Sequence, residues 1–506
     1  MLSKVFSYGL IGLKGFLVTV EASVGLGVGS FQLVGLPDAA VKESQERVHA
    51  AIRHSGFSYP VANIVVNLAP ADLRKEGALY DLPIALAILQ ASGQVRLFGN
   101  DCIFLGELAL DGAVRPVNGV LPMVIDAFAN GYRKFFIPKD NAAEASYLEG
   151  AEVYPIQSIG QLIRHLNGTE PIEPMPTQVF SGHLSVSKFD FSEIKGQKAA
   201  KRAAEVAVAG GHNLLLCGTP GSGKTMLARA IPSILPEMTY AEALEVTKIH
   251  SIIGATKGST GLITERPFRS PHHGASSAAL IGGGAKALPG EISLAHNGVL
   301  FLDEFPEFQR SVLESLRQPL EDGEVTISRA LASATYPARF LLVAAMNPCP
   351  CGNRGSRTKP CTCTPTAIRR YAARISGPLL DRIDLHVEMT EVGYREISDR
   401  KPSEPSAAVR ERVVRARAIQ EKRFQNDGIR LNAQMNGEMI HRYCAPAGES
   451  ARLLSDAFHK LQLSARAYQR VLKVARTIAD IEESEEILPQ HYAEAIQYRS
   501  MELLKN

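Results

Sequence analysis

The sequence predicts a multidomain α/β protein: an α+β N-terminal domain, a central α/β nucleotide-binding core and a C-terminal helical lid. Three observations predict it. The segment Gly218-Thr219-Pro220-Gly221-Ser222-Gly223-Lys224-Thr225 satisfies G-x-x-x-x-G-K-[ST]. It lies between a short apolar run at 213–217 and a helical start at 226–231, the strand–loop–helix setting that the pattern requires. About 80 residues later a second apolar run, 298–302, ends in the paired carboxylates Asp303 and Glu304. From 406 onward apolar positions recur at helical spacing among many Arg, Glu and Ala. A chain of 506 residues holds about three domains.

Residues 1–167 alternate strand-like and helical stretches. Strands are expected at 16–21, 64–68 and 131–138, and helices at 38–54 and 82–89. Arg74, Lys75, Arg133, Lys134 and Lys139 are the cations of this domain. They make it either a nucleic-acid platform or, if they are ordinary surface charges, a scaffold or oligomerisation module. Residues 168–188 form a linker, because Pro171, Pro174 and Pro176 interrupt any helix.

The core runs from 189 to 395. A helix at 198–209 stops at Gly210-Gly211. The glycine loop follows, where main-chain N–H groups can surround phosphate oxygens without Cβ clashes and the helix start adds partial positive charge. Lys224 reaches the β- and γ-phosphates of ATP, and Thr225 with Asp303 holds Mg²⁺. Glu304 orients or deprotonates the attacking water. A third strand, 340–346, ends at Asn347, whose amide suits the γ-phosphate or that water. Between these strands, 321–338 alternates as a β-hairpin with Arg329 near its tip. This placement resembles MCM-like ATPases, whose hairpin here projects into a central pore, and that resemblance implies that Arg329 meets a phosphate backbone; otherwise the hairpin only packs on its neighbour. The segment 250–273 is a second candidate insertion, with Lys257, Arg266 and Arg269 as cations. His272 and His273 have no metal-ligand spacing and read as hydrogen-bonding or interface residues.

Cys349-Pro-Cys351 and Cys361-Thr-Cys363 are separated by nine residues, and two close thiolate pairs across a short loop suit tetrahedral Zn²⁺. Free or redox-active thiols and an Fe–S cluster remain open as alternatives. The loop of 349–363 is basic through Arg354, Arg357 and Lys359, with Arg369 and Arg370 just beyond, and is a candidate DNA contact. The lid, 396–506, carries expected helices at 407–424, 451–460, 465–481 and 489–504.

Net charge is +3, so any nucleic-acid surface is local. No apolar run reaches the length of a membrane span and no signal peptide is recognisable, so the expected place is the cytoplasm, with no membrane partner. Seven cysteines, four of them clustered, fit a reducing compartment.

Several long segments carry a resemblance. Residues 266–273 (Arg-Pro-Phe-Arg-Ser-Pro-His-His), 282–284 (Gly-Gly-Gly), 289–296 (Pro-Gly-Glu-Ile-Ser-Leu-Ala-His) and 300–304 (Leu-Phe-Leu-Asp-Glu) resemble the magnesium-chelatase-like AAA+ proteins. Residues 75–81, 106–112 and 131–141 resemble the proteolytic domain of Lon proteases, which points to the YifB/ComM branch. Where Lon carries its nucleophilic Ser this chain has Leu79, and where Lon carries its Lys it has Asn-Gly-Val-Leu at 118–121, so protease activity is not expected. The resemblance implies a homo-hexameric ring ATPase, with Asn347 as sensor 1, Arg382 or secondly Arg374 as arginine finger, and Arg466 as sensor 2. For the ComM branch it implies a DNA helicase that promotes branch migration in natural transformation, acting on single-stranded or branched DNA with recombination proteins. A protein-remodelling ATPase of the chelatase type and a nucleotide-gated DNA-binding scaffold are the alternatives.

Overall fold

The structure, a computed structural model, describes all residues except 28, 97–98, 183–188, 259–260, 285, 330–331, 394–395, 397, 399–402 and 500–506. The N-terminal domain opens with β1 (Leu2–Ile11) and β2 (Lys14–Gly25), an antiparallel pair, followed by β3 (Ser30–Val34) and β4 (Asn63–Ala69). They form one mixed sheet in the order β1-β2-β4-β3. The helix Asp81–Ala91 is buried along its whole length beneath this sheet, as its apolar run from Leu82 to Leu89 requires. The strands β5 (Cys102–Phe104), β6 (Glu107–Leu108), β7 (Val114–Arg115), β8 (Lys134–Pro138) and β9 (Glu152–Ile156) complete the domain, with β5-β8-β9 a parallel sheet. Where one helix is expected at 38–54, two form, Ala39–Lys42 and Ser44–His54.

The central sheet is β10 (Leu214–Gly218), β11 (Phe268–Arg269), β14 (Val299–Leu302), β17 (Leu341–Met346) and β18 (Leu385–Met389). Its order is β11-β14-β17-β10-β18 and every neighbouring pair is parallel. Strands β10, β14 and β17 are buried at every residue, as continuous apolar runs covered on both faces must be. Two small antiparallel pairs flank this sheet: β12 (Gly282–Gly283) with β13 (Leu288–Pro289), and β15 (Glu324–Arg329) with β16 (Ala332–Pro337).

The N-terminal domain rests on the core. Helix Val120–Ala129 packs on helix Tyr240–Ile252 through Leu121, Ala243 and Val246, and the Gly119 N–H donates to the Ser251 carbonyl at 2.9 Å. The β1–β2 turn meets the β15–β16 hairpin, where a Cβ at Gly12 would lie 2.7 Å from that of Ala334.

The C-terminal helices include Ser406–Arg423, Gly448–Leu461, Ala465–Ile481 and Pro489–Gln497. They share one hydrophobic core with the central sheet. Val409, Val413, Val471, Ala475 and Tyr492 pack in the same cluster as Leu214, Leu216, Val343 and Leu385.

His386 on β18 lies at this junction, 8% exposed. Burial, and then the Arg499 charge beside it, push its imidazole down to about 3. The unfolded chain takes up a proton near pH 6.5 that the folded state refuses. Stability is therefore complete above about pH 6.5 and falls as pH drops towards 3, by up to about 1.4 kcal/mol per pH unit. Thermal melts between pH 7.5 and 5 are expected to show this decline, with a shallower slope for His386→Leu; an unchanged slope would assign it to other groups.

Candidate functional site

The site is built at the C-terminal ends of β10, β14 and β17, where a parallel sheet presents its loops. After β10 the chain turns through Gly221 and Gly223, at φ +81° and +91°, into the helix Lys224–Ala230. A Cβ at either glycine would meet nothing within 4 Å, so glycine serves conformation there, not space. Among the described residues, the buried Thr219 and Ser222 hydroxyls have no hydrogen-bond partner. Unsatisfied polar atoms in a glycine loop at a helix start fit a phosphate-binding cradle.

Lys224 is 8% exposed. Its ammonium donates to the carbonyls of Gly218 and Thr219 at 2.6 and 3.0 Å, and to Asn347 Oδ1 at 3.2 Å. Burial lowers its pKa, and the charge of Asp303 opposes that shift. Thr225 Oγ1 donates to Asp303 Oδ2 at 2.9 Å, so the hydroxyl and carboxylate expected to hold Mg²⁺ already face each other. Asp303 Oδ1 accepts the Glu304 N–H at 2.9 Å.

Glu304 sits at φ +50°, a left-handed conformation unusual outside glycine, which turns its carboxylate away from the strand. Its Oε2 lies 3.0 Å from His273 Nδ1, and both side chains are part exposed. The His272 and His273 rings are 4.0 Å apart. A hydrogen-bonding role is what the sequence suggests for these histidines, but the partner emerges only in the structure. β11 lies beside β14, so the segment after one ends near the segment after the other.

The candidate arginines separate. Arg382 is 4% exposed, and its guanidinium pairs with Glu321 of its own chain and with the Pro378 carbonyl at 2.5 Å. Its guanidinium is thus held within its own chain. Arg374 has half its side chain exposed, with Nη1 2.5 Å from Glu307. Arg466 is exposed in the first turn of helix Ala465–Ile481.

Of the cations on 250–273, Arg266 donates to the Pro236, Glu237 and Asn297 carbonyls and pairs with Glu242, and Arg269 is bidentate to Glu291. These arginines brace the core, which corrects their reading as cations of an insertion. Lys257 is exposed. In the N-terminal domain Lys75 is fully buried, with its ammonium held by the Pro70 and Leu73 carbonyls, so it belongs to no basic platform. Leu79 packs between the two apolar clusters of that domain.

The hairpin forms where expected. Val325, Ile327, Ala334 and Tyr336 turn inward, while Thr326, Ser328, Ser333 and Thr335 are exposed. The backbone of Arg329 ends β15 opposite Ala332, and its side chain lies outside what the structure describes. Arg354 and Arg357 are exposed on the loop after β17, where Cys349, Cys351, Cys361 and Cys363 gather into a cluster that can bind a metal. Among the described residues, no helix is long and apolar enough to cross a membrane.

Comparison with known proteins bears on this arrangement. Residues 190–397 match the family model described as magnesium chelatase, subunit ChlI. Residues 20–141 match subunit ChlI of Mg-chelatase, and 403–499 its C-terminal region. The chain is 46% identical over 512 residues to the competence protein ComM of Haemophilus influenzae, covering 99% of this chain and 98% of that one. It is also 46% identical over 507 residues to YifB of Escherichia coli, with the same coverage. The likeness to Lon is weaker, at 25% identity over 190 residues to a Lon protease of Rhizobium meliloti, covering 35% of this chain and 23% of that one.

Proposed function

Since the chain belongs to the YifB/ComM family of magnesium-chelatase-like AAA+ proteins, we propose that it is an ATP-hydrolysing motor that acts on DNA. One observation carries the ATPase reading: Lys224, Thr225, Asp303, Glu304 and Asn347 converge from three parallel strands, with Lys224 bonded to Asn347 and Thr225 to Asp303. In this reading Lys224 and the N–H groups of 218–225 bind the phosphates, and Thr225 with Asp303 would hold Mg²⁺, which supplies charge neutralisation between the phosphates. Glu304 takes up or orients the proton of the attacking water once it leaves His273, and Asn347 fixes the water's other side. Arg374, exposed and tethered to Glu307, takes the arginine-finger role towards a neighbouring copy in a hexameric ring.

The DNA reading rests on the full-length likeness to a competence protein and on the exposed cations of the loop after β17. It makes the chain a helicase that promotes branch migration, with Arg329, Arg354 and Arg357 meeting phosphates. Three-strand branch migration by the purified protein with ATP, with Glu304→Gln as control, tests it. Junction movement by the wild type alone supports a DNA motor. DNA-independent hydrolysis without movement would favour the remodelling of a protein client, and DNA binding without movement a nucleotide-gated scaffold. The double variant Arg354→Ala, Arg357→Ala is expected to weaken DNA binding uniformly across sequences and to reduce the salt slope by about 2. An unchanged salt slope would remove the loop from the DNA surface.

A further inference from the structure

Beside the nucleotide site lies a cluster that the ATPase chemistry does not use. The sulfurs of Cys349, Cys351, Cys361 and Cys363 all lie within 4.8 Å of one another. Cys349 Sγ is 3.4 Å from Cys351 Sγ and 3.7 Å from Cys361 Sγ, and Cys351 Sγ is 3.7 Å from Cys361 Sγ. Four sulfurs about 2.3 Å from one tetrahedral Zn²⁺ are separated by about 3.8 Å. A disulfide would instead need about 2.05 Å, and all four cysteines are free. The Cys351 N–H donates to Cys363 Sγ at 3.4 Å, and the main-chain N–H groups of Asn353 and Thr362 point at the Cys351 sulfur. Amides aimed at sulfur support thiolates that carry negative charge. Residues 352–360 contain no large apolar side chain that could order the loop by burial.

The cluster also touches the phosphate loop. Cys349 follows Asn347 by two residues. Gly352, at φ +80°, lies so close to the phosphate loop that a Cβ there would be 2.8 Å from Pro220 Cγ, 2.9 Å from Pro220 Cδ and 3.9 Å from Asn347 Cγ. The turn between the first cysteine pair and the basic loop is thus pressed against the residue that shapes the phosphate cradle.

We propose that the four cysteines bind one structural Zn²⁺ per chain, and that the metal-ordered turn at Gly352 braces Pro220 and Asn347, so that ATP hydrolysis depends on metal loading. The binding site stands on its own geometry; the dependence rests on the ATPase reading above.

The test uses the full chain. Elemental analysis of the purified wild type is expected to give about one zinc per chain, and Cys361→Ser with Cys363→Ser to give almost none. Cobalt exchanged for zinc is expected to show the visible bands and thiolate charge-transfer absorption of a tetrahedral sulfur site. Four thiols freely reactive in the native, metal-free wild type, or iron in place of zinc, would overturn the site. Gly352→Ala is expected to keep its zinc yet lose about tenfold or more in ATP turnover, the loss seen when the residues supporting a site are displaced. Protein stripped by a thiol-selective chelator, in excess Mg²⁺, is expected to lose turnover and regain it with zinc. Turnover at the wild-type rate in stripped protein would overturn the brace while leaving the metal count to stand. No turnover in any preparation would refute the ATPase reading, and the zinc content would still decide the site.

Discussion

Lys224→Ala is expected to lower ATP turnover by about two to three orders of magnitude, the usual cost of removing one preorganised charge from a phosphoryl-transfer site. The ammonium is already positioned, held by two carbonyls and Asn347 within 3.2 Å, so it has little reorganising to do when phosphate arrives. Alanine leaves two carbonyls that can turn to water, and the fold should survive, with an unchanged circular dichroism spectrum. Glu304→Gln separates binding from chemistry. The Glu304 side chain is about half exposed, so its replacement leaves the core alone. Nucleotide binding should persist while hydrolysis falls as steeply as for Lys224→Ala. Steady-state phosphate release alongside binding of a fluorescent ATP analogue measures both, and hydrolysis by Glu304→Gln near the wild-type rate would sink the assignment.

The largest effect on stability is expected at Asp480→Ala, about 3–5 kcal/mol, because it strands buried cations. Asp480 is fully buried. Its Oδ1 accepts from Arg423 Nη2 at 2.5 Å and Arg476 Nε at 3.0 Å, and its Oδ2 from Arg423 Nη1 at 2.8 Å and Asn432 Nδ2 at 2.7 Å. The carboxylate thus joins helix Ser406–Arg423 to helix Ala465–Ile481. Burial already lowers the Arg476 pKa, and removing the counter-charge leaves that guanidinium in a low-dielectric setting with fewer partners. Urea unfolding of the variant and of the triple variant Arg423→Met, Arg476→Met, Asp480→Leu, which removes both buried cations with their counter-charge, would check the mechanism. The apolar triple variant should recover much of the loss, and a triple variant no better than Asp480→Ala would mean that packing, not stranded charge, sets the cost.

Local chemistry was legible in the sequence, and pairing across the chain was not. The helix expected at 465–481 forms over those residues because Ser464 caps it and the apolar spacing is regular. The glycine loop, Asp303, Glu304 and Asn347 were readable because each sits at the end of an apolar run. By contrast, β1 carries no regular apolar alternation, because Gly9 interrupts it, and its pairing with β2 appears only in the structure. Helices Val120–Ala129 and Tyr240–Ile252 bury apolar residues against each other across a domain contact, which no local pattern in either segment reveals. Arg266, Arg269 and Arg382 looked like available cations because charge is visible in a sequence and a carboxylate many residues away is not. The His273–Glu304 pair needed the adjacency of β11 and β14, which strand order alone decides.

The C-terminal helices contribute Val413, Val471, Ala475 and Tyr492 to the same apolar interior as Leu214 and Val343. A truncation at residue 396 would therefore strip one wall from the interior that supports the phosphate loop. Such a fragment should be insoluble or molten, and the intact chain should melt from residue 189 onward as a single cooperative transition.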